Sequence, residues 1–532
     1  MNRLAKGLLF GIACALLAPA WAADAAKDDD KKSSTPEDPN LKPQQVATEN
    51  SVTIGGRKID YKAVAGTIIL TGKDENKEDP TASIFYAAYF KHDEGGKRPI
   101  TFFYNGGPGS STVWLHMGAF GPKRVITADD QHTPAAPYRL ANNEFSLLDA
   151  TDLVFIDAPG TGFSRLLAVE KDKDKKDKKM QDRRKEFYGV DQDGEAFTQF
   201  ITKFLSQYGR WNSPKYLFGE SYGTTRSAVL ANKLETEQSV DLNGIILLSQ
   251  ILCFSNDIDA PQFNPGVDQA YALALPTYAA TAWYHHRVPN APKELKPFLA
   301  DVEQYAMSDY LVALAAGTTL DPTRRRAVAE KLHEFTGLPV DYIEKANLRV
   351  YGGEFEKTLQ DETGMTTGRL DTRFSGPSPD PLDKEAQYDP QSAAISSAYV
   401  SAYNDYARKE LKFGDNTTFH VFGDVNPWSW DHKPPGGQSG FPVSTNVMPD
   451  LATAMIYNPN LHILLTGGYY DLATPYFAAV FEMRHLPMPA KLQANIEYDF
   501  YESGHMVYAH DESLKRIHDD VAAFIGKTDN LK

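Results

Sequence analysis

The segment Gly219-Glu220-Ser221-Tyr222-Gly223 constrains this chain more than any other. It follows the strand-like run Lys215 to Phe218 and precedes a helical stretch, Ser227 to Glu235. In that context G-x-S-x-G reads as a nucleophile elbow. The strand-to-helix turn is so tight that small residues must flank it, and it lifts the serine oxygen out of the sheet. The competing reading is an ordinary strand–helix turn, where Gly and Ser collect because turns favour them. The two separate on whether the rest of the chain supplies the partners a nucleophilic serine needs.

A serine hydroxyl is a weak nucleophile until a base removes its proton. His505, in Ser503-Gly504-His505-Met506, follows a strand ending at Tyr501 and sits where such sheets place their sites, beyond a strand's carboxyl end. An orienting acid is expected between Ser and His in the chain. Asp471, in Thr466-Gly467-Gly468-Tyr469-Tyr470-Asp471, follows the strand Leu461 to Leu465 and meets that order. Glu482 and Asp499 are rival acids, but they lie within helical and strand patterns. Alone, His505 would read as a core or surface histidine and Asp471 as a turn residue; together with Ser221 they form an ordered set. A Gly-rich loop, Asn105-Gly106-Gly107-Pro108-Gly109-Ser110-Ser111, follows the strand Ile100 to Tyr104. It offers the N–H of Gly107 to an oxyanion hole, with the N–H of Tyr222, the residue after the nucleophile, as the second donor. Without a Lys-Ser/Thr ending or G-x-G-x-x-G spacing, the loop is not read as a phosphate cradle.

Strands alternating with helices predict a largely parallel sheet flanked by helices. Antiparallel strands are expected first, at Val52 to Ile54, Gly66 to Leu70 and Ser83 to Phe90, followed by Ile100–Tyr104, Leu153–Ile156 and Tyr216–Phe218. Helical spacing recurs at Gly194 to Leu205 and at Asp511 to Ile525. Residues 255–449 change character: helical stretches such as Pro297 to Ala316 and Thr323 to Thr336 alternate with Pro/Gly-rich segments. The expected organisation is a catalytic domain of residues 51–254 and 450–532 interrupted by a mainly helical cap. Glu170 to Lys185, a charge run of both signs without an apolar stripe, reads as a solvated surface loop.

The first 22 residues read as a secretory signal: Arg3 and Lys6, an apolar core from Leu8 to Leu17, and the A-x-A site Ala20-Trp21-Ala22. Lipidation at Cys14 is the competing reading, but Gly11 stands where a large aliphatic residue is expected. Residues 23–50, rich in Lys, Asp, Pro and Ser, read as a disordered leader. The chain is thus expected to be exported, periplasmic or secreted, and soluble. Of its 2 cysteines, Cys14 would leave with the signal. That leaves no internal disulfide, and Cys253 reads as a small buried hydrophobe. A net charge of −15 argues against a nucleic-acid partner. His285-His286 and the pair His505 and His510 lack any H-E-x-x-H pattern, so neither a metal nor a cofactor is expected.

The N-G-G-P-G segment, Asp157-Ala158-Pro159-Gly160-Thr161-Gly162-Phe163-Ser164, the G-E-S-Y-G elbow, the Gly-Gly-x-x-Asp turn and the G-H-M segment stand in the order of the serine carboxypeptidase family, which this chain resembles over roughly Ile100 to Leu252 and Leu461 to Tyr508. The resemblance implies an α/β-hydrolase fold with Ser221, Asp471 and His505 as triad and Gly107 and Tyr222 as oxyanion hole. It also implies that Asn105 and Glu220 bind the free carboxylate of a peptide substrate, with Glu220 protonated in the complex. An esterase or acyltransferase using the same triad is the alternative. Three positions depart from the family pattern. Ala119 stands where a second acid usually pairs with the elbow glutamate, Ser110 replaces a cysteine, and Tyr508 replaces the proline after G-H-M-V.

Overall fold

Apolar runs too short for helices and bounded by Gly, Pro and Asn become the strands of one sheet. The computed structural model describes residues 39–72, 78–92, 97–170, 173–437 and 443–531. Among these, ten strands form the main sheet: β1 (Gln45–Ile54), β2 (Arg57–Thr71), β3 (Pro80–Lys91), β4 (Ile100–Tyr104), β5 (Asp152–Ile156), β6 (Arg165–Leu166), β7 (Lys215–Glu220), β8 (Gly244–Leu248), β9 (His462–Gly468) and β10 (Ile496–Tyr501). Their spatial order is β1-β2-β3-β5-β4-β7-β8-β9-β10, with the short β6 paired to β3. The first three strands and β6 are antiparallel additions. From β5 through β10 every ladder is parallel. Strands β4, β5, β7 and β8 are buried along their whole length, as parallel strands covered on both faces must be.

Helices cover both faces. The first, α1 (Lys173–Phe187), leads into α2 (Val190–Gln207) and α3 (Tyr222–Glu237). In the long stretch between β8 and β9, helices at Gln269–Tyr284, Leu295–Tyr305 and Pro322–Thr336 precede α4 (Pro390–Lys409) and α5 (Met448–Tyr457). Then come α6 (Tyr476–Arg484) and α7 (Asp511–Thr528). Residues of α2, α3, α5 and α6 pack with Phe102, Tyr104 and Leu217 on one side of the sheet. Those of α4 and α7 pack with Phe103, Tyr216 and Phe218 on the other. The alternation of Tyr216, Leu217 and Phe218 between the two cores is the period-2 geometry of a strand. Each such fully buried side chain contributes about 1.5–3 kcal/mol.

Two expectations are corrected. The leader expected to run to residue 50 overlaps β1, which begins at Gln45 and pairs along Arg57–Gly66 of β2. That strand is an exposed edge, so its side chains are mostly polar and hide its nature. The charge run expected to be a loop is largely α1. Lys, Arg and Glu are good helix formers, and the helix docks through its C-terminal end. There Phe187 is buried, and Arg183, also buried, binds Asp79 and the Leu167 carbonyl. The expected signal and most of the leader lie outside the described residues. From Asn40 onward the chain forms one compact unit.

Candidate active site

The elbow begins where β7 ends. Ser221 adopts φ 61° and ψ −132° as the residue before α3. A side chain other than glycine's at positive φ costs on the order of 1–3 kcal/mol and needs surrounding contacts to hold it. Those contacts explain the flanking glycines. A Cβ on Gly219 would lie 2.3 Å from the Gly223 carbonyl, and one on Gly223 would lie 2.9 Å from the Tyr104 carbonyl. The Ser221 N–H donates to Leu248 O at 3.0 Å, tying the turn to the end of β8.

The Gly-rich loop after β4 rests directly on the elbow. A Cβ on Gly106 would stand 2.4 Å from the Tyr222 nitrogen, a distance only glycine permits, and Gly107 follows at φ 110°. The backbones of Gly107 and Tyr222, expected to act together, therefore lie on adjoining segments. Arg226, fully buried on α3, donates to the Asn105 carbonyl at 2.8 Å and to Asp193 at 2.6 Å. It thus fixes the loop's first residue to the helix behind the serine. The sequence reading missed this pair; its only signal was an arginine in an otherwise small and apolar helix face.

Parallel pairing of β8, β9 and β10 brings the later residues to the same edge. Ser249 bridges them, its N–H donating to Thr466 O at 2.9 Å and its hydroxyl to His505 O at 2.8 Å. His505 and Asp471 are both buried, with Nδ1 and Oδ2 2.8 Å apart. Thr474, which the sequence reading did not single out, supplies two further bonds to the acid. Its N–H donates to Oδ1 at 3.0 Å and its hydroxyl to Oδ2 at 2.8 Å. Burial lowers the basicity of His505, but the Asp471 carboxylate more than offsets it and holds the imidazole above its usual range; Glu220 pushes the same way. Glu482 accepts from Leu252 N, Cys253 N, Gln250 and Asn256 and so is fully engaged elsewhere. Asp499 lies mid-strand on β10.

Glu220 and Asn105 are both buried, beside Tyr508. The Tyr508 hydroxyl donates to Glu220 Oε2 at 2.8 Å. Burial pushes the Glu220 carboxyl up to about 7, against the pull of His505 and of hydrogen bonds from Tyr508 and Asn105. A buried carboxyl that still titrates near neutrality, next to the elbow serine, is the kind of group that marks functional sites. Ala119 is buried within the turn Leu115–Phe120 and presents no acid. Cys253 is a buried free thiol whose proton burial holds more tightly than usual.

A strained serine elbow, a Gly-rich loop against it, and an Asp–His pair beyond the next parallel strands define an α/β-hydrolase. Residues 62–261 match the model of the serine carboxypeptidase family, a family of hydrolases. "Serine carboxypeptidase S10 family member 1" of Dictyostelium discoideum is 28% identical over 167 residues, 29% of this chain and 32% of that protein. The pheromone-processing carboxypeptidase KEX1 of Yarrowia lipolytica is 30% identical over 154 residues, 28% of this chain and 21% of that protein. The chain thus matches about a third or less of the length of these curated relatives. The crystal structure of a prohormone-processing carboxypeptidase from Saccharomyces cerevisiae superposes with a TM-score of 0.50 at 16% identity, covering 92% of both chains, which is a likeness of fold. No helix among the described residues is long and apolar enough to cross a membrane.

Proposed function

We propose that this protein is an exported serine carboxypeptidase that removes C-terminal residues from peptides. The observation that carries the reading is Glu220, a buried carboxyl next to the nucleophile with its proton held to about pH 7. Such a group can meet a substrate carboxylate only if the two share a proton, because like charges a few ångströms apart cannot both stay ionised.

In this mechanism the peptide's terminal carboxylate binds Glu220 and Asn105, which sets the scissile carbonyl over Ser221. His505 Nε2 takes the Ser221 proton as Oγ bonds to the carbonyl carbon, and Asp471 stabilises the imidazolium at Nδ1. The N–H groups of Gly107 and Tyr222 hold the tetrahedral oxyanion. The C–N bond breaks, and His505 returns the proton to the leaving amino acid. Water, deprotonated by His505, then hydrolyses the acyl-enzyme. The helical stretch of residues 255–449 serves as a cap over the substrate side.

Peptide turnover requires neutral His505 and protonated Glu220. Activity on free-acid peptides therefore falls below the raised pKa of His505 and again above about pH 7, giving a bell-shaped kcat/KM profile. The test compares one peptide bearing a free C-terminus with its C-terminal amide at mildly acid pH. The free acid is cut much faster, and Glu220→Gln flattens the alkaline loss. Equal rates on the two peptides would overturn the carboxypeptidase reading and leave an esterase or acyltransferase.

A further inference from the structure

A carboxyl that must hold a proton for its partner needs something to fix which oxygen carries it. Around Glu220 the packed elements present His505 and Asp471 from the loops after β10 and β9, Asn105 from the loop after β4, Tyr399 from α4, and Tyr508 from the turn before α7. Of these, Tyr508 makes the short bond to Oε2. The surrounding backbone is cut to admit its ring. A Cβ on Gly118 would stand 2.7 Å from Tyr508 Cδ2 and 2.4 Å from the Tyr399 hydroxyl. The turn that carries Gly118 and Ala119 thus leaves space, and aromatic rings fill it.

We propose that Tyr508 is the positioning residue for Glu220: by donating permanently to Oε2 it confines the titrating proton to Oε1, which faces the substrate carboxylate. The assignment of the carboxylate rests on the carboxypeptidase reading above. A second carboxyl in this place would compete for the proton and force one acid neutral. A phenol behaves differently. Burial and the neighbouring Glu220 keep the Tyr508 proton in place well beyond the working pH, so the hydroxyl is a constant donor. It favours ionised Glu220 over the neutral acid and thereby lowers the pH at which the acid gives up its proton.

The test is Tyr508→Phe, which keeps the ring and removes only the donor. The Glu220 carboxyl is titrated by infrared difference spectroscopy, with Glu220→Gln identifying its band. KM and kcat are measured in parallel for a free-acid peptide and its amide. The expected result is a titration midpoint raised by about one pH unit, the worth of a hydrogen bond to a charged group. With it the alkaline limb of kcat/KM for the free acid moves up by a similar interval, through KM rather than kcat, and the shift vanishes in the Glu220→Gln background. An unmoved midpoint would overturn the proposal whatever the peptides do. A moved midpoint with equal effects on free acid and amide would overturn the link to the carboxylate. Wild-type enzyme that does not distinguish free acid from amide would sink the carboxypeptidase reading separately, because the infrared midpoint does not depend on it.

Discussion

Asp471→Asn is the substitution whose outcome the geometry fixes most tightly. Oδ1 of Asp471 accepts from the Thr474 N–H at 3.0 Å, a backbone donor that cannot turn away. In the asparagine variant the amide oxygen must keep that position, which places the amide nitrogen where Oδ2 meets His505 Nδ1 at 2.8 Å. Two donors cannot face each other, so the imidazole moves its proton to Nε2 and presents an N–H to Ser221 instead of a lone pair. The fold is spared, because the Thr474 hydroxyl that donates to Oδ2 can accept from the new amide instead. Loss of the correct tautomer in a buried triad is worth on the order of 10⁴ in kcat, about 5.5 kcal/mol of transition-state stabilisation. The assay is kcat on a free-acid peptide by product mass, with phosphonate labelling of Ser221 and thermal unfolding to show that the site and the fold persist. The acid limb also moves down in pH, since His505 loses the carboxylate that holds its pKa up. A variant keeping more than about a tenth of wild-type kcat would refute the reasoning and move the orienting role to another carboxylate.

Three further outcomes are expected. Ser221→Ala abolishes phosphonate labelling and lowers turnover on the order of 10⁶-fold; labelling that persists points to a different nucleophile. Arg226→Met leaves buried Asp193 without its partner and frees the Asn105 carbonyl, costing about 3–5 kcal/mol in denaturant unfolding; a loss under 1 kcal/mol would mean the pair does not brace the elbow. The His432 side chain is enclosed between Asp191 (Nδ1, 2.6 Å) and Asp450 (Nε2, 2.7 Å). With both nitrogens facing carboxylates it is an imidazolium, which the carboxylates, against burial, hold up to about 9. The folded state therefore retains a proton that the unfolded chain releases near 6.5. The stability it contributes, about 2 kcal/mol after screening at the partly exposed Asp191, is complete below that pH and fades as pH rises through about 9. His432→Gln removes this slope in unfolding curves between those limits, and an unchanged slope would refute the assignment.

Sequence alone made the elbow legible, because only a small residue fits a turn in which a Cβ at position 219 would lie 2.3 Å from the carbonyl of position 223. It also determined the parallel core strands, since continuous apolar runs such as Ile100–Tyr104 have no polar face to show water. The chain order of Ser221, Asp471 and His505 was legible for the same reason: each lies just past such a run. Edge strand β1 and helix α1 were not legible, because one is half-exposed and the other docks by two side chains near its end, so neither carries the apolar period that marks a buried element. Only the tertiary structure decided the partners. Arg226 beneath Asn105 and Tyr508 on Glu220 are joined across 121 and 288 residues. Hydrogen bonds of that kind depend on where strand ends converge in space. Position 508 shows the difference most clearly: in the sequence it is only a tyrosine where a proline was expected, and in the fold it is the donor facing a buried acid.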